Sequence, residues 1–275
     1  MQFGFVLPGG TAIEQLDLAV AAEQAGWDGL FVFEAAYGVD PWTLLSAIAQ
    51  RTSRIKLGTM LTPLPWRRPW KLASQVATLD QLSNGRAILA VGLGATDPEL
   101  GSTGEETDRR KRAEMLDEGI DLIRGLWEGR MRFAGQHFDL DLQVRQDFAV
   151  ACQPVQKRIP IWVVGAWPRT RSMQRVLRCD GLLPNVATAD GFGRATPDDV
   201  RAMRAWLVEH GAAHPDFDIV AEGETPTDDA AAAAEQVRPF AEASTTWWLE
   251  TRWMTPEHER LAQVGARLAA GPPRV

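Results

Sequence analysis

The chain has 275 residues, 45% of them hydrophobic and 24% charged, which is enough to bury a large core without disulfides or structural metals. A formal net charge of −7 with no basic block argues against nucleic acid as a partner, and no stretch approaches the roughly 18 apolar residues that a membrane helix needs. The two cysteines, Cys152 and Cys179, have neither CxxC spacing nor a neighbouring His, so we expect a cytoplasmic protein without a metal site.

Short apolar runs alternate with segments of helical periodicity along most of the chain. The apolar runs predict eight strands, at residues 2–7, 29–33, 55–60, 87–91, 161–164, 181–183, 217–220 and 245–249. The predicted helices begin near residues 13, 41, 72, 113, 169, 197, 228 and 256, and Pro41 and Pro197 occupy first helical positions. Residues 129–158 break this rhythm and predict an irregular insertion before the fifth strand.

Strand–helix alternation of this kind predicts a parallel sheet, and eight units in about 250 residues favour a closed barrel. We therefore predict the α/β class, with a single (β/α)8 TIM barrel over residues 1–275. In such a barrel the ligand site is built from the loops that follow the strands. At the eighth strand, the alternation of side chains allows only one of Trp247 and Trp248 to point into the barrel.

Two candidate catalytic residues follow the second predicted strand. Glu34 stands at the end of an apolar run, where burial would raise the pKa of its carboxyl and suit it to proton transfer. Tyr37 is a candidate to donate a proton or to stack on a ligand. The alternative for Glu34 is a structural ion pair with an arginine in the barrel mouth.

Small residues in the loops after the fourth and fifth strands suggest contacts with a ligand. The first loop consists of Gly92, Leu93 and Gly94. It would let the backbone approach a ligand closely, although it lacks the third glycine of a Rossmann fingerprint. The second is a turn that opens a helix and is a candidate phosphate site, unless it is a simple strand-to-helix turn. This turn consists of Gly165, Ala166, Trp167, Pro168, Arg169 and Thr170.

Other catalytic signatures are missing from the sequence. None of the four histidines follows a predicted strand, and neither a GxSxG motif nor a P-loop occurs. Arg67 and Arg68, after the third strand, are candidate contacts for an anionic ligand. A pocket with so few catalytic side chains fits chemistry that is carried by a bound cofactor.

Several blocks of the sequence are similar, in the same order, to those of one known family. Four of them are DPWTLLSAIAQRTSRIKLGTMLTPLPWRRPWKLASQVATLDQLSNGRAILAVGLG at residues 40–94, GEETDRRKRAEMLDEGIDLIRGLWEG at 104–129, PVQKRIPIWVVGAWP at 154–168 and EASTTWWLE at 242–250. The chain thereby resembles the bacterial-luciferase-like oxidoreductases. The resemblance implies a TIM barrel, FMN or coenzyme F420 as cofactor, a small organic substrate and a homodimer. It covers both monooxygenases and hydride-transferring reductases.

The resemblance also implies roles for particular positions. Thr59 and Met60 correspond to a non-proline cis peptide in the third strand, against which the flavin ring leans in the family. The loop from Gly92 to Gly94 would face the ring. The turn from Gly165 to Thr170 corresponds to the phosphate-binding turn, and the insertion at 129–158 also has a counterpart.

Two departures from the family pattern leave alternatives open. Ala35 stands where the family usually has a His after the acidic residue, and Ala95 replaces a Glu of the sugar-phosphate dehydrogenase branch. One alternative is therefore a flavin-binding or degenerate barrel without turnover. Another is a cofactor-free lyase or isomerase that uses Glu34 and Tyr37. The sequence does not choose between FMN and F420, nor does it name the substrate.

Overall fold

A closed parallel barrel forms the centre of the molecule. The computed structural model describes residues 1–94, 103–142, 152–189, 191–212, 214–253 and 255–275, the side chains of 257 and 258 excepted. Its eight barrel strands are β1 (Gln2–Leu7), β2 (Gly29–Val32), β3 (Lys56–Thr59), β5 (Ala87–Gly92), β8 (Ile161–Trp167), β9 (Gly181–Thr188), β11 (Asp218–Gly223) and β12 (Trp247–Glu250). Each pairs in parallel with the next, and β12 pairs with β1, so the predicted TIM barrel is confirmed.

Helices follow the strands on the outside of this barrel. They are α1 (Ala12–Gln24), α2 (Pro41–Arg51), α3 (Pro69–Leu82), α4 (Arg109–Trp127), α5 (Thr170–Val176), α6 (Pro197–Glu209), α7 (Ala230–Glu242) and α8 (Glu257–Ala269). Asp40 and Thr196 cap α2 and α6 through side-chain hydrogen bonds, and a proline follows each cap. Within the described ranges, none of the helices is long and apolar enough to cross a membrane.

Four shorter strands lie beside or outside the barrel ladder. They are β4 (Thr62–Pro63), β6 (Arg132–Ala134), β7 (Asp139–Asp141) and β10 (Gly191–Gly193). The antiparallel pair β6–β7 lies in the predicted insertion. Strand β9 extends to Thr188, beyond the predicted end at residue 183, because Pro184, Asn185 and Val186 pair with β8. Its end then turns back into β10.

Aromatic side chains fill the barrel interior. The ring centroids of Phe31 and Trp162 are 5.3 Å apart, and Trp247 lies 5.4 Å from Trp162. Trp248, on the opposite face of β12, packs outside the barrel against Phe240 of α7, with centroids 5.2 Å apart. The prediction that only one of the two tryptophans points into the barrel is therefore confirmed, and the structure shows that it is Trp247.

Gly58 gives a prediction about the tight packing of this interior. A Cβ atom at Gly58 would lie 2.6 Å from the carbonyl oxygen of Ile88 and 3.1 Å from the Phe31 ring. Because the backbone would have to shift, Gly58→Ala should lower the free energy of unfolding by about 1–3 kcal/mol, as measured by urea denaturation. The control is Gly265→Ala in α8, where the nearest side-chain atom is 3.9 Å away. That change should preserve or raise stability because Ala is the better helix former.

Candidate active site

A cavity of about 540 Å³ opens at the carboxyl ends of the barrel strands. Its wall combines residues that follow β2, β3 and β5 with residues of β8 and β9, as expected for a TIM barrel. Several of the apolar lining residues are Phe33, Met60, Leu61, Leu93, Leu116 and Val164. Its polar lining includes Glu34, Arg109, Ser172, Arg175 and Asn185. The strand ends thus create a largely apolar pocket with a few polar groups, which is typical of a small-molecule site.

A non-proline cis peptide bond lies just after the end of β3, between Met60 and Leu61. The sequence placed this cis bond between Thr59 and Met60, which is wrong by one residue. Strand β3 remains regular up to Thr59, and the cis bond comes one residue later. Met60 and Leu61 both line the cavity. Thr59 is fully buried instead, and its hydroxyl donates to the Ala90 carbonyl at 3.3 Å.

The loop after β5 brings two of its three predicted residues to the cavity. Leu93 and Gly94 line it, whereas Gly92 is packed behind Leu61. Gly94 has a φ of +78°, and a Cβ there would lie 2.7 Å from the Pro63 side chain. The carbonyl of Leu93 accepts a hydrogen bond from Arg112. Glycine at position 94 thus permits a turn that a larger residue would obstruct. Ala95 lies outside the described residues.

The predicted phosphate turn contributes Ala166 to the cavity lining. The Ala166 N–H donates to the Ser172 hydroxyl at 2.9 Å, so this N–H is already engaged within the protein. Gly165 faces Leu182 on the helix side of the barrel, and Trp167 is half-buried against the outer core. Thr170 begins α5 and is exposed. Gly165, Trp167 and Thr170 are therefore not part of the lining, and their predicted contacts stay predictions.

Two arginines flank an aromatic ring at the cavity. The guanidinium carbons of Arg109 and Arg169 lie 4.9 and 5.3 Å from the ring centroid of Phe192, on β10. Arg109 and Phe192 line the cavity, and neither was predicted from the sequence. Arg175 also lines it, but both arms of its guanidinium bind Asp117 at 2.8 Å. Because the charge of Arg175 is paired with Asp117, Arg109 is the lining arginine that we consider for contact with an anionic ligand.

Glu34 lies between the main cavity and a smaller one of about 310 Å³. Its side chain is 4% exposed, its Oε1 accepts a hydrogen bond from Arg67 Nε at 2.5 Å, and Arg67 Nη2 forms an ion pair with the same oxygen, also at 2.5 Å. Burial raises the pKa of Glu34 above its ordinary value, and the charge of Arg67 opposes that shift without cancelling it. Arg67 is therefore already paired with a carboxylate, and its predicted contact with an anion stays a prediction. Both the predicted burial and the alternative ion pair are present.

Tyr37 occupies a different environment from Glu34. Its side chain is 96% exposed, and it lines the smaller cavity only. The two predicted catalytic residues thus both line the smaller cavity, but only Glu34 also lines the main pocket. Within the described part of the chain, no group of three or more His, Cys, Asp or Glu side chains is placed to hold a metal ion.

Comparisons with known proteins agree with this architecture. A coenzyme F420-dependent oxidoreductase assigned in Mycobacterium tuberculosis is 32% identical over 240 residues, which are 82% of this chain and 65% of that protein. The F420-dependent glucose-6-phosphate dehydrogenase of Amycolatopsis mediterranei is 34% identical over 164 residues, 56% of this chain and 47% of that enzyme. The chain thus spans about half to two thirds of the length of these relatives.

Solved structures show the same fold. An F420-dependent secondary alcohol dehydrogenase bound to an F420-acetone adduct superposes with a TM-score of 0.77 at 18% identity, covering 98% of this chain and 97% of that one. The monooxygenase RslO1 from Streptomyces bottropensis gives 0.70 at 21% identity, covering 98% of both chains. The sequence model of the luciferase-like monooxygenase family matches residues 1–272. The chain belongs to the luciferase-like monooxygenase family, as its sequence blocks predicted.

Proposed function

We propose that this protein is an oxidoreductase that uses FMN or the deazaflavin F420 to exchange hydride with a small organic substrate. The observation that carries the proposal is the cavity itself, which combines an apolar lining, a cationic group and a buried carboxylate at the strand ends. The first relatives reported above are F420-dependent by name, which supports the same chemistry.

The cavity lining fits both the flat ring system and the phosphate of such a cofactor. Met60, Leu61 and Val164 form an apolar surface suited to a flat ring system, and the volume of about 540 Å³ is within the range of small-molecule pockets. Arg109 supplies a charge suited to a phosphate. The Ser172 hydroxyl donates to the Val164 carbonyl at 3.4 Å and would have to exchange this long hydrogen bond for one to the phosphate. When bound, FMN or F420 would supply the ring that accepts or donates hydride.

The chain would supply the proton transfer. Glu34 is buried, has a raised pKa and lines the main cavity, so it is suited to take a proton from a substrate hydroxyl or return one. Arg67 holds one of its oxygens and thereby orients the other. Trp66, which lines both cavities, helps to keep water from this carboxylate.

Titration of the purified protein with FMN and with F420, followed by ring fluorescence, tests the proposal. We expect saturable binding of at least one, and reoxidation or reduction of the bound ring on addition of an organic substrate. Absence of affinity for both ring systems would contradict the proposal. Oxygen uptake coupled to substrate oxygenation would instead assign the monooxygenase branch of the family.

Arg109 gives a prediction about cofactor affinity. Loss of its charge in Arg109→Ala should weaken binding of either phosphorylated cofactor by about tenfold, because a charge-assisted contact to phosphate is lost. The matched control is Arg110→Ala, since Arg110 is the next residue, its side chain is 78% exposed and it pairs with Glu114. Equal affinities of the two variants would show that Arg109 does not contact the phosphate.

Three predictions from the sequence extend this proposal. We propose that residues 1–275 form one domain, since the first barrel strand pairs with the last. We also propose that the protein is a homodimer, as the resemblance implies, and that it acts in the cytoplasm, as its cysteine pattern suggests. Light scattering after size-exclusion chromatography measures the mass in solution, and a monomeric mass would contradict the homodimer.

A further inference from the structure

The smaller cavity beside Glu34 has an unusual charge distribution. We define it as the acidic chamber, lined by residues 34–41 together with Trp66, Arg67, Thr103 and Glu105. Its volume is about 310 Å³, and it shares Glu34, Ala35 and Trp66 with the main cavity. A molecule in the acidic chamber would therefore lie directly beside the proposed cofactor site.

Carboxylates outnumber cations in the described lining of the acidic chamber. Glu34, Asp40 and Glu105 contribute negative charge, whereas Arg67 is the one cationic residue among these lining residues. Arg67 is also engaged already, with Nη2 2.5 Å from Glu34 Oε1 and 3.5 Å from Asp40 Oδ2. The lining consequently carries an excess of negative charge, which would repel an anionic ligand.

The second carboxylate oxygen of Glu34 provides an independent observation. Oε2 is buried and accepts no hydrogen bond from the described residues. The nearby Thr62 hydroxyl donates to Thr59 Oγ1 at 3.0 Å, and the Thr59 hydroxyl donates to the Ala90 carbonyl. The Thr62 hydroxyl also lies close enough to Glu34 to lower the pKa of that carboxyl, so it is the neighbouring protein group beside which a ligand would reach Oε2. Because an unsatisfied buried acceptor is costly, Oε2 is suited to receive a donor from a ligand.

Small side chains leave room for that ligand. Ala35 and Ala36 follow Glu34 directly, and both line the acidic chamber. Neither alanine side chain supplies a polar group of its own, so the buried polar groups shared by the two cavities are the Glu34 carboxylate and the indole N–H of Trp66. The ligand itself would have to bring the hydrogen-bond donor.

We propose that the acidic chamber binds the reacting end of a substrate that donates a hydrogen bond to Oε2 of Glu34 and carries no negative charge. Alcohols and protonated amines have this chemistry, whereas phosphorylated and carboxylated molecules do not. The substrate class therefore differs from the glucose 6-phosphate in the names of several relatives. The inference rests on the proposed function only in treating the bound molecule as the substrate.

Four ring compounds of similar size test the charge and donor requirements separately. Cyclohexanol is a neutral donor, cyclohexylamine a cationic donor, cyclohexanone a neutral molecule without a donor, and cyclohexanecarboxylate an anion. We would measure their dissociation constants by ligand-observed NMR titration, with and without cofactor. Cyclohexanol and cyclohexylamine should bind about tenfold or more tightly than the other two, because a hydrogen bond is gained or a like charge avoided.

Two isosteric variants localise the effect. Glu34→Gln should abolish the preference for cyclohexanol over cyclohexanone and weaken cyclohexylamine about tenfold, since an amide can donate as well as accept. Glu235→Gln removes the same charge from an exposed position on α7 and should preserve the wild-type order. The wild-type series stands by itself if the Glu34 variant fails to fold.

The results that would overturn this inference differ from those that would overturn the proposed function. Binding of cyclohexanecarboxylate as tightly as cyclohexanol, or binding of none of the four compounds, would overturn the inference. The same order of affinities in Glu34→Gln would overturn it as well. If neither FMN nor F420 binds while the predicted order holds, the proposed function fails and the assignment of the acidic chamber stands.

Discussion

Replacing Glu34 with Gln should lower the turnover of a bound alcohol substrate by about 10²- to 10⁴-fold, because the amide cannot accept the hydroxyl proton. Cofactor affinity should change little, since the residues proposed for the phosphate and the ring are Arg109, Ser172, Met60 and Leu61. The effect is expected in the turnover number more than in cofactor binding because proton transfer develops in the transition state.

Stopped-flow absorbance of the bound cofactor measures this step directly, and Glu235→Gln serves as the control. The pH profile distinguishes proton transfer from a purely structural role. Burial raises the pKa of Glu34, so the rate of alcohol oxidation by the wild type should rise with pH through a value above the ordinary carboxyl range. The rise should disappear in Glu34→Gln. A variant with wild-type turnover and an unchanged profile would exclude Glu34 from the reaction.

The second large effect is expected at Glu250, at the end of β12. Its fully buried carboxylate accepts hydrogen bonds from the Thr225 N–H at 2.8 Å and the Thr225 hydroxyl at 2.7 Å. Arg252 Nη2 and Arg267 Nε lie 3.3 and 3.7 Å from the same side chain. Glu250→Gln should lower the free energy of unfolding by about 3–5 kcal/mol, because the buried Arg267 loses its carboxylate partner and Arg252 keeps only Glu224, at 3.6 Å.

Urea denaturation of Glu250→Gln beside the exposed Glu242→Gln measures this loss. The Glu242 variant should remain within about 0.5 kcal/mol of the wild type because its carboxylate is exposed to solvent. Arg267→Met offers a second check, since it removes one partner of the same pair. If the two changes at positions 250 and 267 were strictly additive in the double variant, the proposed coupling between them would be absent.

Local sequence signals were sufficient to predict the barrel. Apolar runs and helical periodicity gave the order of elements, and Asp40 with Pro41 marked the start of α2 correctly because capping is a short-range effect. The length of β9 was underestimated, since Pro184 and Asn185 have low strand propensity and are held in the strand by pairing with β8. That pairing is a tertiary effect, absent from a local window of sequence.

The candidate site was harder to predict than the barrel, because its residues come together from distant parts of the sequence. Position after a strand suggested Glu34, but its partner Arg67 is 33 residues away in sequence. The run of basic residues at the start of α4 gave no sign that Arg109 faces the cavity while Arg110 faces solvent. Ser172 was not predicted, although a hydroxyl in the first turn of α5, after β8, was a signal that could have identified it. Phe192 had no comparable signal. Tyr37 was favoured by proximity in sequence alone.

The closure of the barrel also fixes where its two ends lie. The indole N–H of Trp27, just before β2, donates to the Leu268 carbonyl at 3.1 Å, and a Cβ at Gly26 would lie 3.7 Å from Arg274. Residues 1 and 275 are thus both on the floor of the barrel, opposite the cavity mouth. An affinity tag or a fluorescent fusion partner attached at either end would leave the ligand entrance unobstructed, which makes tagged protein suitable for surface-immobilised binding assays.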